Sequence, residues 1–121
     1  IIPLMSNALS ITLLSGPAPM PRSHIKSVIG EDKFYSAIAN ELGFEVDSLS
    51  LTSDSLRLRL WNIATEMLKA RAVEFDVSFL EAPKVSRDNA GMLSQEYWGD
   101  VTHANSAYGR LLIEELAYLS R

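Results

Sequence analysis

Val73-Glu74-Phe75-Asp76-Val77-Ser78-Phe79-Leu80 alternates apolar and polar side chains through Phe79. Side chains of a strand point to opposite faces in turn, so Val73, Phe75, Val77 and Phe79 share one face and Glu74, Asp76 and Ser78 the other. This alternation predicts a half-buried strand over residues 73–80. A second, buried strand is predicted over residues 8–15, A-L-S-I-T-L-L-S, a compact apolar run with β-branched Ile11 and Thr12 between Asn7 and Gly16. Gly16-Pro17-Ala18-Pro19-Met20-Pro21 follows it, and prolines at alternate positions make a stiff, extended loop.

The chain between the two strands reads as helix. Residues 23–29 can begin one, which Gly30 breaks or bends. Asp32 is an N-cap for a helix to Leu42 with Phe34, Ala37, Ile38 and Leu42 on one face, and Gly43 suits the position just past its end. Residues 44–52 are a connection. Ser53 or Asp54 then caps a long amphipathic helix to about Ala72. Its stripe of Leu56, Leu60, Ile63, Ala64, Met67 and Leu68 reads as core-facing. Leu58 and Trp61 widen the apolar arc enough to suit an oligomer contact as well. Downstream of the second strand, residues 81–102 form a loop. A last helix is expected from about Asn105 to Ser120, with Tyr108, Leu111, Leu112, Leu116 and Leu119 inward.

Strand, two helices, strand, helix is the order of an α/β domain with parallel strands, here one domain over residues 1–121. Two strands are few for a parallel sheet, which is usually covered on both faces. Self-association into a homodimer, or a further part of the protein, is therefore expected to complete it.

Bulk composition narrows the function. A net charge of −4, with eleven scattered basic residues, argues against a nucleic-acid partner. Arg57 and Arg59 read as solvated. No apolar run approaches the ~18 residues needed to cross a bilayer, so no membrane partner is expected. Ile1-Ile2-Pro3-Leu4-Met5 is short, interrupted by Pro3 and lacks a basic flank, so it does not read as a signal peptide. With no cysteine there is neither a disulfide nor a thiolate nucleophile. A metal held by His103, Asp100 and His24 lacks dedicated ligand spacing, and no metal or cofactor is expected.

Chemistry concentrates in Asp88-Asn89-Ala90-Gly91-Met92-Leu93, Glu96-Tyr97 and Asp100-Val101-Thr102-His103-Ala104-Asn105, with Tyr108-Gly109 following. Asp100 and His103 stand three apart just before a helix start, where Asn105 is a natural N-cap. A histidine acting as general base needs a carboxylate on its far ring nitrogen, to hold the tautomer and to stabilise the imidazolium. An ion pair kept only for structure is the plainer alternative. Ser15 and Ser23 flank the proline loop and read as turn or cap residues, although either could approach His103. Tyr97 and Trp98 read as packing groups or as a substrate wall.

The extended string resembles the last conserved block of the SGNH/GDSL-type serine hydrolases: D-x-x-G-x-L, then E-Y, then D-x-x-H-x-N before a helix. Upstream, the apolar strand running into the proline loop resembles that family's fourth strand, and residues 73–80 its fifth. The resemblance spans most of the chain from about Leu9 to Leu119. It implies half of a flavodoxin-like three-layer α/β/α fold and hydrolysis of a small ester or acyl substrate, with His103 as general base and Asp100 as its orienting partner. The family's Gly-Asp-Ser nucleophile motif and Gly-x-Asn-Asp oxyanion motif do not occur here. The chain is therefore expected to be a truncated or remnant hydrolase, inactive alone. The alternatives are a non-enzymatic homo-oligomer and one subunit of a split hydrolase.

Overall fold

A computed structural model describes residues 11–45 and 50–119. It is mixed α/β, with four α-helices and a two-stranded parallel sheet among the described residues. The elements are β1 (Thr12–Leu14), α1 (Arg22–Val28), α2 (Lys33–Leu42), α3 (Asp54–Glu74), β2 (Ser78–Leu80) and α4 (Ser106–Leu119), with short 3-10 turns at Ile29–Glu31, Lys84–Ser86 and Gln95–Tyr97. The expectations for residues 1–10, for residues 46–49 of the connection, and for Ser120 lie outside the described residues.

β1 and β2 pair in parallel, with Thr12 opposite Ser78, Leu13 opposite Phe79 and Leu14 opposite Leu80. The ladder continues one step, from the Ser15 amide to the Leu80 carbonyl at 2.9 Å. Because the strands are parallel, their following loops leave from the same end of the sheet. Ligands of α/β proteins gather at that end.

The helix boundaries follow local chemistry. Asp32 caps α2 by accepting from the Tyr35 amide, and Gly43 ends it at φ 78°. Ser53 caps α3 by accepting from the Leu56 amide. The segment after Pro21 forms a helix of its own, α1, separated from α2 by the turn holding Gly30, so the order is β-α-α-α-β-α.

The predicted strand over residues 73–80 is corrected. α3 runs on through Val73 and Glu74, and only Ser78–Leu80 is strand. The helix stops because Asp76 takes up φ 55°, with its amide bonded to the Val73 carbonyl at 3.1 Å and the Val77 amide to the Ala72 carbonyl at 2.9 Å. That pair of bonds is a Schellman ending, with aspartate where glycine is usual. A local helix ending therefore prevailed over the alternating pattern, and Val73 and Phe75 are exposed.

The core also lies elsewhere than expected. It gathers Ala18 and Met20 of the proline loop, Ile25 of α1, Ile29, Leu93, Val101 and Tyr108 of α4. The α3 stripe is not inside: Leu56, Leu60, Ile63, Met67 and Leu68 are between 42% and 65% exposed, and Ala72 is the buried residue of that helix. Leu119, expected inward, is exposed too, as are Phe34 and Leu42 of the apolar face of α2. The reason is coverage. The 21 residues of α3 extend about 31 Å. Two strands of three residues each span roughly 10 Å along their length. The sheet is too small to cover the helix. None of the helices among the described residues is long and apolar enough to cross a membrane.

Candidate functional site

The segment after β2 is built from successive turns. Asp88 accepts from the Ala90 and Met92 amides at 2.9 and 3.0 Å, and Gly91 completes the bend at φ 91°. The turn delivers Leu93 into the core, fully buried, where its amide bonds to the Pro19 carbonyl at 2.9 Å. The Asp-x-x-Gly-x-Leu string thus has a structural job: it ties the exit of β2 to the exit of β1. Asn105 supplies the next anchor. Its side-chain amide donates to the Glu96 carbonyl at 2.7 Å, its backbone amide to the Tyr97 carbonyl at 3.0 Å, and its side-chain oxygen accepts from the Tyr108 amide at 3.2 Å. It therefore caps α4 and pins the preceding loop in place.

Asp100 and His103 come together in that loop. Asp100 Oδ1 accepts from the backbone amides of Thr102 and His103 at 2.9 and 2.8 Å, which closes a tight turn. His103 Nδ1 lies 3.0 and 3.1 Å from the two carboxylate oxygens. Val101, between them, is buried in the core and holds the turn from below. The Asp100 carboxyl is held below its ordinary pKa, first by the Thr102 amide, then by the His103 amide and side chain. An ionised carboxylate accepts hydrogen bonds and cannot donate one, so the proton of a neutral His103 ring sits on Nδ1. The Thr102 hydroxyl, 3.0 Å from Nδ1, then serves as a second acceptor. Nε2 keeps its lone pair and has no hydrogen-bond partner among the described residues. The pair is open to solvent, with side chains 78% and 58% exposed for His103 and Asp100. Asp100 also borders a cleft of about 470 Å³ whose other wall is Val28, Glu31, Asp32 and Lys33.

Ser15 is buried and donates its hydroxyl to the Gly16 carbonyl at 3.0 Å, an occupation that suits packing rather than attack. Ser23 is exposed on α1. Tyr97 packs edge-on to Tyr108, and Trp98 stacks on His24 and donates to the Leu93 carbonyl at 2.8 Å, so both aromatics serve packing. Arg57, read as solvated, instead reaches the Met20 carbonyl at 2.8 Å, because α3 passes beside the proline loop. Among the described residues no group of three or more His, Asp or Glu side chains could hold a metal ion.

Two contributions were not foreseen in the sequence, where His24 was weighed only as a metal ligand. His24 reaches the Gly99 carbonyl across 75 residues, and no local pattern could have announced that pairing. Gly99 sits where a Cβ would collide with the His103 carbonyl oxygen. The only trace of this in the sequence is a glycine directly before the aspartate. Comparison with family models, with curated proteins and with solved structures finds no match for this chain.

Proposed function

We propose that this chain is the C-terminal half of an SGNH/GDSL-type serine hydrolase fold, hydrolysing esters or acyl groups only when joined to a half that carries the nucleophile. The observation supporting this most directly is the grip of Asp100 on His103 Nδ1 at 3.0 and 3.1 Å. It orients the imidazole and leaves Nε2 as the base. A serine hydroxyl on the joined half passes its proton to Nε2 as its oxygen attacks the carbonyl carbon. The same proton then goes to the departing alcohol as the acyl–oxygen bond breaks, and water repeats the sequence on the acyl-serine. The sheet of a flavodoxin-like parent would continue from this strand pair, and the exposed stripe of α3 would be covered by the joined half.

The test is ester hydrolysis by the protein carrying both halves, on one chain or two, against its His103→Ala variant. Gly-Asp-Ser is expected in the joined half, and the substitution is expected to lower kcat by roughly 10⁴-fold or more. Turnover unchanged by His103→Ala ends the proposal. This chain alone is expected to hydrolyse nothing above the buffer rate, since neither nucleophile nor oxyanion donors accompany the base.

A non-enzymatic homodimer is the second reading. It is favoured by one observation: large apolar side chains on α3 and at Phe34, Phe75 and Ile113 stand exposed. Sedimentation separates it from the first, because a stable dimer with no esterase partner fits only this alternative.

A further inference from the structure

We infer that His24 is a positioning residue for the Asp100–His103 pair, its Nε2–H holding the Gly99 carbonyl so that the following peptide presents Asp100 to the imidazole. The inference rests on the reading of that pair as base and orienting carboxylate. His24 Nε2 lies 2.8 Å from the Gly99 carbonyl oxygen. A carbonyl only accepts, so Nε2 carries the proton. The ring is set for this by stacking on Trp98, with centroids 4.7 Å apart and planes 28° from parallel.

The peptide between Gly99 and Asp100 is the part of the loop that His24 holds. Its six atoms move as one plane, so holding the Gly99 oxygen also fixes the direction in which Asp100 leaves. Glycine is required at position 99 because a Cβ there would strike the His103 carbonyl oxygen. That requirement brings unwanted freedom, since glycine lets the adjoining plane rotate at little cost. The neck of the loop is held on both sides, by the isolated bridge between Trp98 and Ala104 and by the indole bond to Leu93. Neither of these grips the Gly99–Asp100 plane, whereas the His24 tether does. It carries the position of α1, whose Ile25 is buried in the core, to the carboxylate.

The experiment reads the ring nitrogens of His103 by long-range ¹H–¹⁵N spectroscopy at neutral pH. Wild type is compared with His24→Phe, which keeps the stack and loses the donor, and with His24→Gln, whose amide replaces Nε2–H. Wild type is expected to show the Nδ1–H tautomer of His103. His24→Phe is expected to lower its ratio to the Nε2–H tautomer about fivefold, the factor carried by one ordinary hydrogen bond. His24→Gln is expected to restore the ratio. A folded His24→Phe protein with the wild-type ratio overturns the positioning role and leaves the Asp100–His103 pair standing. Wild type already in the Nε2–H tautomer overturns both. Should His24→Phe not fold, His24→Asn, whose amide is too short to reach Gly99, replaces it with the same two outcomes.

Discussion

Alanine at position 99 places one methyl group where only backbone stands. Its Cβ would collide with the His103 carbonyl oxygen and lie 2.9 Å from the Ala104 carbonyl carbon and 3.0 Å from its oxygen. No side-chain rotation can relieve these contacts, so the two arms joining Trp98 to Ala104 must separate by roughly an ångström. That separation strains the turn in which Asp100 accepts the Thr102 and His103 amides. The upper end of the overpacking range, about 3 kcal/mol, is the expected loss. For a chain of this length one kcal/mol moves the midpoint by roughly 4 °C, so Gly99→Ala should melt about 12 °C below wild type. The assay is thermal unfolding followed by circular dichroism, with the His103 ring spectrum recorded on the same samples. Two glycines calibrate it. A Cβ on Gly16 or Gly109 meets nothing within 4 Å. Gly16→Ala should leave the midpoint unchanged. Gly109→Ala, inside α4, should raise stability by about 1 kcal/mol through helix propensity. A Gly99→Ala protein melting within about 2 °C of wild type, with an unaltered His103 spectrum, would refute the close-approach argument.

Three further outcomes are expected. Tyr108 is buried and its hydroxyl has no hydrogen-bond partner among the described residues; Tyr108→Phe should raise stability by about 1 kcal/mol in urea unfolding, and a loss would mean that the hydroxyl is satisfied in solution. Asp76 ends α3 at φ 55°; Asp76→Gly should gain about 0.5–1 kcal/mol, and no gain would argue against the left-handed ending. The Asp100 carboxyl is lowered from 3.8 by the Thr102 amide first. Its contribution to stability should be complete above the unfolded value and fade as pH falls through the lower folded one. The ¹³C titration of its carboxyl checks this, and a folded midpoint at or above the unfolded one would contradict the assigned hydrogen bonds.

The local devices were legible without coordinates. Asp32, Gly43, Ser53 and Asn105 all stand at the helix ends where their side chains or conformational freedom predicted them. So was the turn that sets Asp100 beside His103, since both lie in one short loop. Missed were the true end of α3, the occupation of Arg57 and the reach of His24. A period of two over residues 73–79 and a helix continuing through Glu74 both satisfy local sterics. The choice between them lay in a left-handed residue at Asp76 that alternation does not register.

Sequence alone therefore determined much of what is decided within a few residues: which side chains cap the helices, and which carboxylate can grip which imidazole. These are settled by hydrogen bonds between near neighbours, which every local stretch carries with it. The tertiary structure decided which apolar faces meet. Leu60 and Met67 obey helical spacing as faithfully as any core residue, yet stand in the open because, among the described residues, no sheet extends beneath them. Burial is a property of partners distant along the chain, and periodicity along one element cannot report whether those partners are there.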